Sequence, residues 1–370
     1  VFTKLTNNSD VDYSRYNFFH SYYFINKGDK KKAIQTLDDS LKLFPRNLIL
    51  NQLKIDLKND KDFKNHFDCK NLSHVVAEIF YIAASALASQ GSFTLSNFYL
   101  SLAKYLNPNF ISFDALYAEN FYEIEKYKRA EEIFFRMKNY GRVYNWYSSK
   151  RIASILSEQN KEKESIKFLS EEFKKIKDPN VYETYDFSAF LKNNEKYESA
   201  IKYYSKVLSK INKAHSLYPK ATDGRGIAYE RTKQWEKAEI DFLNSLSVEP
   251  ESAYVINYLA YSWIEQGVKL EKSLSMLQKA NKIRSNDPYI TDSLGWALFK
   301  LERYKESKNY LQLAVKLMPG DPIVNDHYGD VLWKNGDEIQ ARYYWNYVLN
   351  LEEAEEDLKE KIQDKIIKGL

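Results

Sequence analysis

The chain is expected to be all-α, a solenoid of helix–turn–helix units of roughly 34 residues closed by a C-terminal capping helix. Three observations predict this. A small residue recurs as Ala33, Ser96, Ala130, Ser165, Ala200, Ala238, Ser273, Ser307 and Ala341, and from Ser96 onward the steps are 34, 35, 35, 38, 35, 34 and 34. A unit of that length cannot bury its apolar face alone and must stack on copies of itself. Breakers are scarce, 11 Gly and 8 Pro in 370 residues, which suits long helices joined by short turns. Hydrophobic residues make up 44% and charged residues 29%; that is too apolar for disorder, and a stack growing in one dimension escapes the size limit of a single core.

The clearest unit is Ser285 to Pro319. Gly295 on its first helix and Ser307 on its second are small enough for the two backbones to approach. Leu298 and Leu311 fill the space on either side. Pro319 ends the second helix, because it lacks an N–H and its ring clashes with the preceding turn.

The first unit runs from Ser14 to Pro45, with Gly28-Asp29 at its turn and Ala33, Leu37 and Leu41 as its inner stripe. The next step is nearly two periods long. Leu48 to Leu57 reads as a helix and Asp60 to Ser73 as polar and irregular, so a degenerate repeat with a loop is expected near residues 46–75. Then follow a unit on Ala84, Leu87, Gly91, Ser96, Leu100 and Ala103, and further units over Ser112 to Met137, Tyr144 to Lys175 and Val181 to Leu208. A longer linker, Ser209 to Lys220, supplies the step of 38. The unit on Gly226, Trp235, Ala238 and Phe242 is regular, and that over Tyr254 to Ile283 carries one extra residue in its turn. The last unit holds Gly329, Leu332, Gly336, Ala341 and Trp345. Four regions are expected: N-terminal repeats over 1–110, central repeats over 111–208, well-formed repeats over 209–350 and a cap over 351–370. In the cap, acids at Glu352–Asp357 precede Lys359, Lys361, Lys365 and Lys368, an order that complements the helix dipole.

Charge and chemistry narrow the function. With 55 Lys plus Arg against 51 Asp plus Glu, the net charge of +4 gives no reason to expect nucleic acid as a partner. No glycine-rich phosphate loop and no nucleophile elbow is present, so no catalytic residue is assigned and the protein is expected not to be an enzyme. His66, Cys69 and His74 lie as H-x2-C-x4-H, but structural zinc takes four ligands and no second cluster accompanies them. Neither a metal nor a cofactor is expected. Cys69 is the only cysteine, so an intramolecular disulfide is excluded. The most apolar run, Val75 to Ala88, is shorter than a membrane span and carries Glu78, so no transmembrane segment is expected. The chain starts at Val1, which reads as a trimmed or partial sequence.

The pattern of Leu294, Gly295, Leu298, Tyr304, Ser307, Leu311, Ala314 and Pro319 resembles the tetratricopeptide repeat, which implies a right-handed superhelix whose first helices line the concave side. Counting the small residue of the first helix as position 8, the lining positions are 2, 5, 9, 12 and 13. In the hairpin on Ala260 these are Tyr254, Asn257, Tyr261, Ile264 and Glu265; on Gly295 they are Tyr289, Asp292, Trp296, Phe299 and Lys300. On Gly329 they are Ile323, Asp326, Asp330, Trp333 and Lys334, and on Gly226 the matching residues are Asp223, Ile227, Glu230 and Arg231. The expected peptide-binding groove is therefore Asp223, Tyr254, Asn257, Tyr261, Asp292, Trp296, Phe299, Asp326, Asp330 and Trp333. Aromatic anchors in a concave site are typical of protein recognition. The acids at position 5 should repel an acidic tail, so a neutral or basic protein or extended peptide is the expected partner. A homodimer through edge helices is a further option.

Over about Ala253 to Asn350 the likeness is narrower. Asp292-Ser-Leu-Gly-Trp296, Asp321-Pro322, Asp326-His-Tyr-Gly-Asp330, Trp333 and Trp345 resemble the C-terminal repeats of bacterial, mainly proteobacterial, tetratricopeptide proteins. Some of these are outer-membrane lipoproteins that act as scaffolds for carboxyl-terminal processing proteases. The resemblance implies a non-catalytic adaptor in a bacterial cell envelope, periplasmic or outer-membrane-associated. A scaffold of polysaccharide export, or the docking part of an enzyme whose catalytic domain is missing, stays open as an alternative.

Overall fold

The computed structural model describes residues 14–61, 67–68 and 70–370. Nine helical hairpins carry most of them. They are α1 (Ser14–Asn26) with α2 (Lys30–Leu43), α4 (Leu72–Ser89) with α5 (Phe93–Leu106), α6 (Ser112–Glu123) with α7 (Tyr127–Met137), and α8 (Arg142–Glu158) with α9 (Glu162–Lys174). Then come α10 (Val181–Asn193) with α11 (Tyr197–Leu208), α12 (Tyr218–Arg231) with α13 (Trp235–Val248), and α14 (Ala253–Glu265) with α15 (Leu270–Ile283). The last two are α16 (Pro288–Lys300) with α17 (Tyr304–Leu317) and α18 (Pro322–Lys334) with α19 (Glu338–Leu349). Outside the hairpins stand α3 (Leu48–Lys58) and the final α20 (Glu356–Lys368). Among the described residues there is no strand, as the all-α expectation requires. The chain forms two compact units, Val1–Phe187 and Ser188–Leu370.

The recurring small residues close the hairpins in a specific way. A Cβ on Gly295 would lie 2.6 Å from Leu311 Cγ, so any side chain there would push α16 off α17. Ser307 Oγ then donates to Gly295 O across the contact at 2.7 Å. The same stitch joins Ser96 to Ala84 O and Ser165 to Ala153 O, each at 2.7 Å. In all three the serine follows its acceptor by twelve residues. Ser273 follows Ala260 by thirteen because of the extra residue in its turn. Its hydroxyl is buried with no partner, so a one-residue insertion removes the stitch.

Each hairpin turn places a residue in the left-handed region, Gly28, Gly91, Glu125, Asn160, Glu195, Lys233, Gly267, Glu302 and Gly336 in turn, and the longer turn between α14 and α15 adds Lys269. Only four of these ten are glycine, the residue that adopts this conformation at no steric cost. Asp287 and Asp321 cap α16 and α18 by accepting backbone N–H groups, and each is followed by Pro at the first helical position. That pairing starts a helix sharply, because Pro gives up an N–H that has no partner there anyway.

In the first unit, α3 stands apart from the hairpins found among the described residues. It packs on α1, α2 and α8. Leu50, Leu53 and Leu57 enter the core formed with Phe18, Ala33 and Leu37. On its other side Gln52 is buried, its Oε1 accepting Val143 N–H at 3.0 Å. Gly141, at φ +124°, leaves the space that this amide fills. Helix α4 spans 18 residues and is, by length and composition alone, apolar enough to cross a membrane, because Leu72 to His74 and Ser89 extend the run seen in the sequence. Its Ala77 and Ala84 are fully buried, and its Glu78 is paired with Arg15.

Candidate functional site

The inner residues of α12, α14, α16 and α18 converge on one open cavity of about 660 Å³ in the second unit. Its walls include Glu230, Tyr254, Asn257, Tyr258, Tyr261, Tyr289, Asp292 and Asp321. Four tyrosines and three carboxylates thus face a common space. Tyr254 is 48% exposed and Tyr289 56%, a large amount for aromatic rings that a hydrophobic core would otherwise claim. Asn257 Oδ1 and Glu230 Oε2 are buried acceptors with no hydrogen-bond partner, although Arg231 Nε lies 3.5 Å from the latter. Leaving such an atom unpaired costs about 1–3 kcal/mol. The Tyr261 phenol has its ionisation pushed far up, first by burial and then by Glu265, Asp292, Asp321 and Asp326. It therefore remains a hydrogen-bond donor at any physiological pH.

The cavity holds four of the ten residues expected in the groove: Tyr254, Asn257, Tyr261 and Asp292. The others lie elsewhere. Trp296 is only 7% exposed. It is stacked between Phe299 at 4.6 Å and His327 at 3.9 Å, and its Nε1 donates to Glu265 Oε1 at 2.7 Å. Phe299 is correspondingly half-buried. Asp292 reaches the cavity wall, but its oxygens both lie 3.0 Å from His327 Nδ1. Asp326 and Asp330 are buried under α20, whose Lys365 Nζ sits 2.6 Å from Asp326 Oδ1 and 2.8 and 2.9 Å from the Asp330 oxygens. Asp330 also accepts from Trp345 Nε1 at 3.1 Å. Trp333 is half-buried, with Arg342 over its ring at 4.5 Å. The expectation that Trp296, Asp326 and Asp330 stand open to a ligand therefore gives way. The next hairpin supplies a stacking histidine, and the C-terminal helix supplies a buried ammonium.

Asp223 is half-buried on α12 and is not among the cavity's lining residues. Burial pushes its carboxyl up to about 6, with Lys192 opposing and Glu249 reinforcing the rise. Burial and Asp326 likewise raise Asp330 to about 6, against Lys365 and His327. His327 is pulled down by burial but more strongly up by Asp292, Asp326 and Asp330, for a net rise. Reading the sequence missed Tyr258, at position 6 beside Asn257, and did not assign Asp321 to the groove. Both line the cavity. Tyr258 falls between the counted positions. Asp321 belongs to the hairpin junction, which a count along one helix does not reach.

Of the candidate metal residues, His66 and Cys69 lie outside the described residues, and His74 Nδ1 accepts Asp68 N–H at 3.0 Å. No cluster of metal-ligating side chains occurs among the described residues.

A family model described as tetratricopeptide repeat matches residues 148–354. Among curated proteins, a TPR repeat-containing protein of Pseudomonas aeruginosa is 26% identical over 86 residues, which are 23% of this chain and 15% of that protein. The chain thus matches only a small part of that relative. Among solved structures, MamA of Desulfovibrio magneticus RS-1 aligns with a TM-score of 0.41 at 18% identity, over 48% of this chain and 97% of its own. YrrB, described as a TPR protein with an unusual peptide-binding site, aligns at 0.39 and 17% identity, over 50% and 92%.

Proposed function

The chain belongs to the tetratricopeptide repeat family, and from that premise we propose that it is a non-catalytic adaptor whose second unit holds an extended, neutral or basic segment of a partner protein. One observation carries this reading. A tyrosine-lined cavity contains two buried acceptors, Asn257 Oδ1 and Glu230 Oε2, that accept no hydrogen bond among the described residues, although Arg231 lies 3.5 Å from the second. An extended peptide brings backbone N–H groups to such acceptors, and tyrosine rings offer contact area at low entropic cost. The carboxylates Glu230, Asp292 and Asp321 outnumber Arg231 on the cavity wall and favour a partner without negative charge. The resemblance of residues 253–350 to bacterial tetratricopeptide proteins, some of which are outer-membrane lipoproteins, is the ground for proposing a bacterial envelope complex as the setting.

The test is peptide-array binding by the full chain with Asn257→Ala and Tyr258→Ala. Either substitution should reduce binding tenfold or more while the melting temperature stays within a few degrees. Undiminished binding by both folded variants would remove the groove from this cavity. Co-purification from envelope and cytoplasmic fractions checks the setting; recovery of cytoplasmic proteins alone counts against the envelope.

A further inference from the structure

Three of the chain's own arginines lie against inner-face tyrosines, each with a carboxylate beside it. Arg15 binds both oxygens of Glu78, with Nη2 to Oε2 at 2.6 Å, and its guanidinium lies 4.0 Å from the Tyr81 ring. Glu78 and Tyr81 are positions 2 and 5 of the hairpin counted on Ala84. Arg46 donates to Asp186 Oδ1 at 2.6 Å and sits 5.4 and 5.6 Å from the rings of Tyr182 and Tyr185. Those tyrosines are positions 2 and 5 counted on Ser188. In the second unit, Arg284 lies 4.5 Å from the Tyr254 ring and donates to Tyr254 Oη at 3.0 Å, while Tyr254 Oη donates to Asp287 Oδ2 at 3.1 Å. A planar guanidinium stacks on a ring and bonds a carboxylate at once, which an ammonium cannot do as well.

The repeat period carries the Arg284 arrangement forward one hairpin. Tyr254 corresponds to Tyr289, 35 residues on, and Asp287 to Asp321, 34 on. Arg284 corresponds to residue 318, which is Met. Tyr289 and Asp321 both line the cavity, and Tyr289 is the most exposed of its tyrosines. Asp321 uses Oδ1 to cap α18, which leaves Oδ2 as an acceptor. The pair has the ring and the carboxylate of its neighbour but lacks the arginine.

We infer that Tyr289 and Asp321 form an arginine subsite, left open by Met318, which the partner segment fills with its own arginine side chain. The inference rests on the peptide-groove reading and adds the side chain that the groove selects.

The experiment uses the full chain on immobilised nonapeptide libraries, randomised except for a central arginine, lysine, citrulline or alanine. Retention on the arginine library should exceed that on citrulline at least tenfold and that on lysine several-fold. Met318→Arg supplies the missing guanidinium from within and should bring arginine retention down to the citrulline level. Tyr289→Ala should do the same. Circular dichroism melts confirm that both variants are folded, and because both act on exposed or half-buried positions, either one suffices if the other is unstable. If all four libraries are retained equally, and Asn257→Ala abolishes that retention, the groove stands and the arginine subsite falls. If arginine preference survives Met318→Arg and Tyr289→Ala, arginine is read elsewhere and the subsite again falls. Retention on none of the libraries overturns both the subsite and the groove.

Discussion

His327 shows how one side chain can hold two hairpins together. Its ring stacks on Trp296 and its Nδ1 meets Asp292, so residues of α16 and α18 share one buried pair. Its proton is held more tightly in the folded chain than in the unfolded one. Stability from this pair is therefore complete below the ordinary histidine value of 6.5 and is lost as pH rises through the higher folded value. Thermal melts from pH 6 to 9 should show a decline that His327→Gln abolishes; an unchanged profile would place the titration elsewhere. Asp223 acts in the opposite sense. With its carboxyl raised to about 6, the folded state takes up a proton that the unfolded state has released, so stability falls as pH rises from 4 to 6. Asp223→Asn should stabilise the chain at pH 7.5 by about 1–3 kcal/mol, with the gain vanishing near pH 4 in denaturant titrations. Gly295→Leu belongs with these. Its added carbons meet Leu311 at once, and the expected cost is at the upper end of overpacking, about 3 kcal/mol, read from the same titrations.

Helix α20 is held by little apolar burial and one charge cluster. Ile362 is its only fully buried side chain, while Lys365 lies between Asp326 and Asp330. Removing one partner of a buried ion pair leaves the others uncompensated, at about 3–5 kcal/mol. Lys365→Met should lower stability by roughly that amount at pH 7.5 and make α20 the first site of limited proteolysis. The loss should shrink near pH 5, where Asp330, raised to about 6, is already protonated. Proteolysis beginning in another hairpin would show that the cluster does not anchor the helix. The α4 helix makes the complementary point. Its composition suits a bilayer, yet its Glu78 is paired with Arg15 and its Ala77 and Ala84 are buried in the first unit.

At the scale of the molecule, stability in repeat arrays is approximately a sum of local terms and nearest-neighbour contacts. The chain divides at residues 187 and 188 into two compact units. Calorimetry of Gly295→Leu should therefore move the unfolding of residues 188–370 and leave that of 1–187 in place. A single transition shifted as a whole would mean that the units unfold together. What the sequence by itself determined is the repeat: the period, the small residues at the crossings and the turn positions. Each of these follows from contacts within one hairpin, a short stretch of chain. The inner-face register was legible for the same reason, and Tyr254, Asn257, Tyr261 and Asp292, which it selected, line the cavity. Only the tertiary structure decided which inner-face residues are open. Trp296 is closed by a histidine one repeat away, Asp326 and Asp330 by a lysine 39 and 35 residues on. The same holds for α3, whose seat on α8 depends on Gln52 meeting Val143 across 91 residues. A periodic pattern records what every repeat must do. Which repeat is covered depends on side chains brought together from outside the period, and those carry no periodic mark.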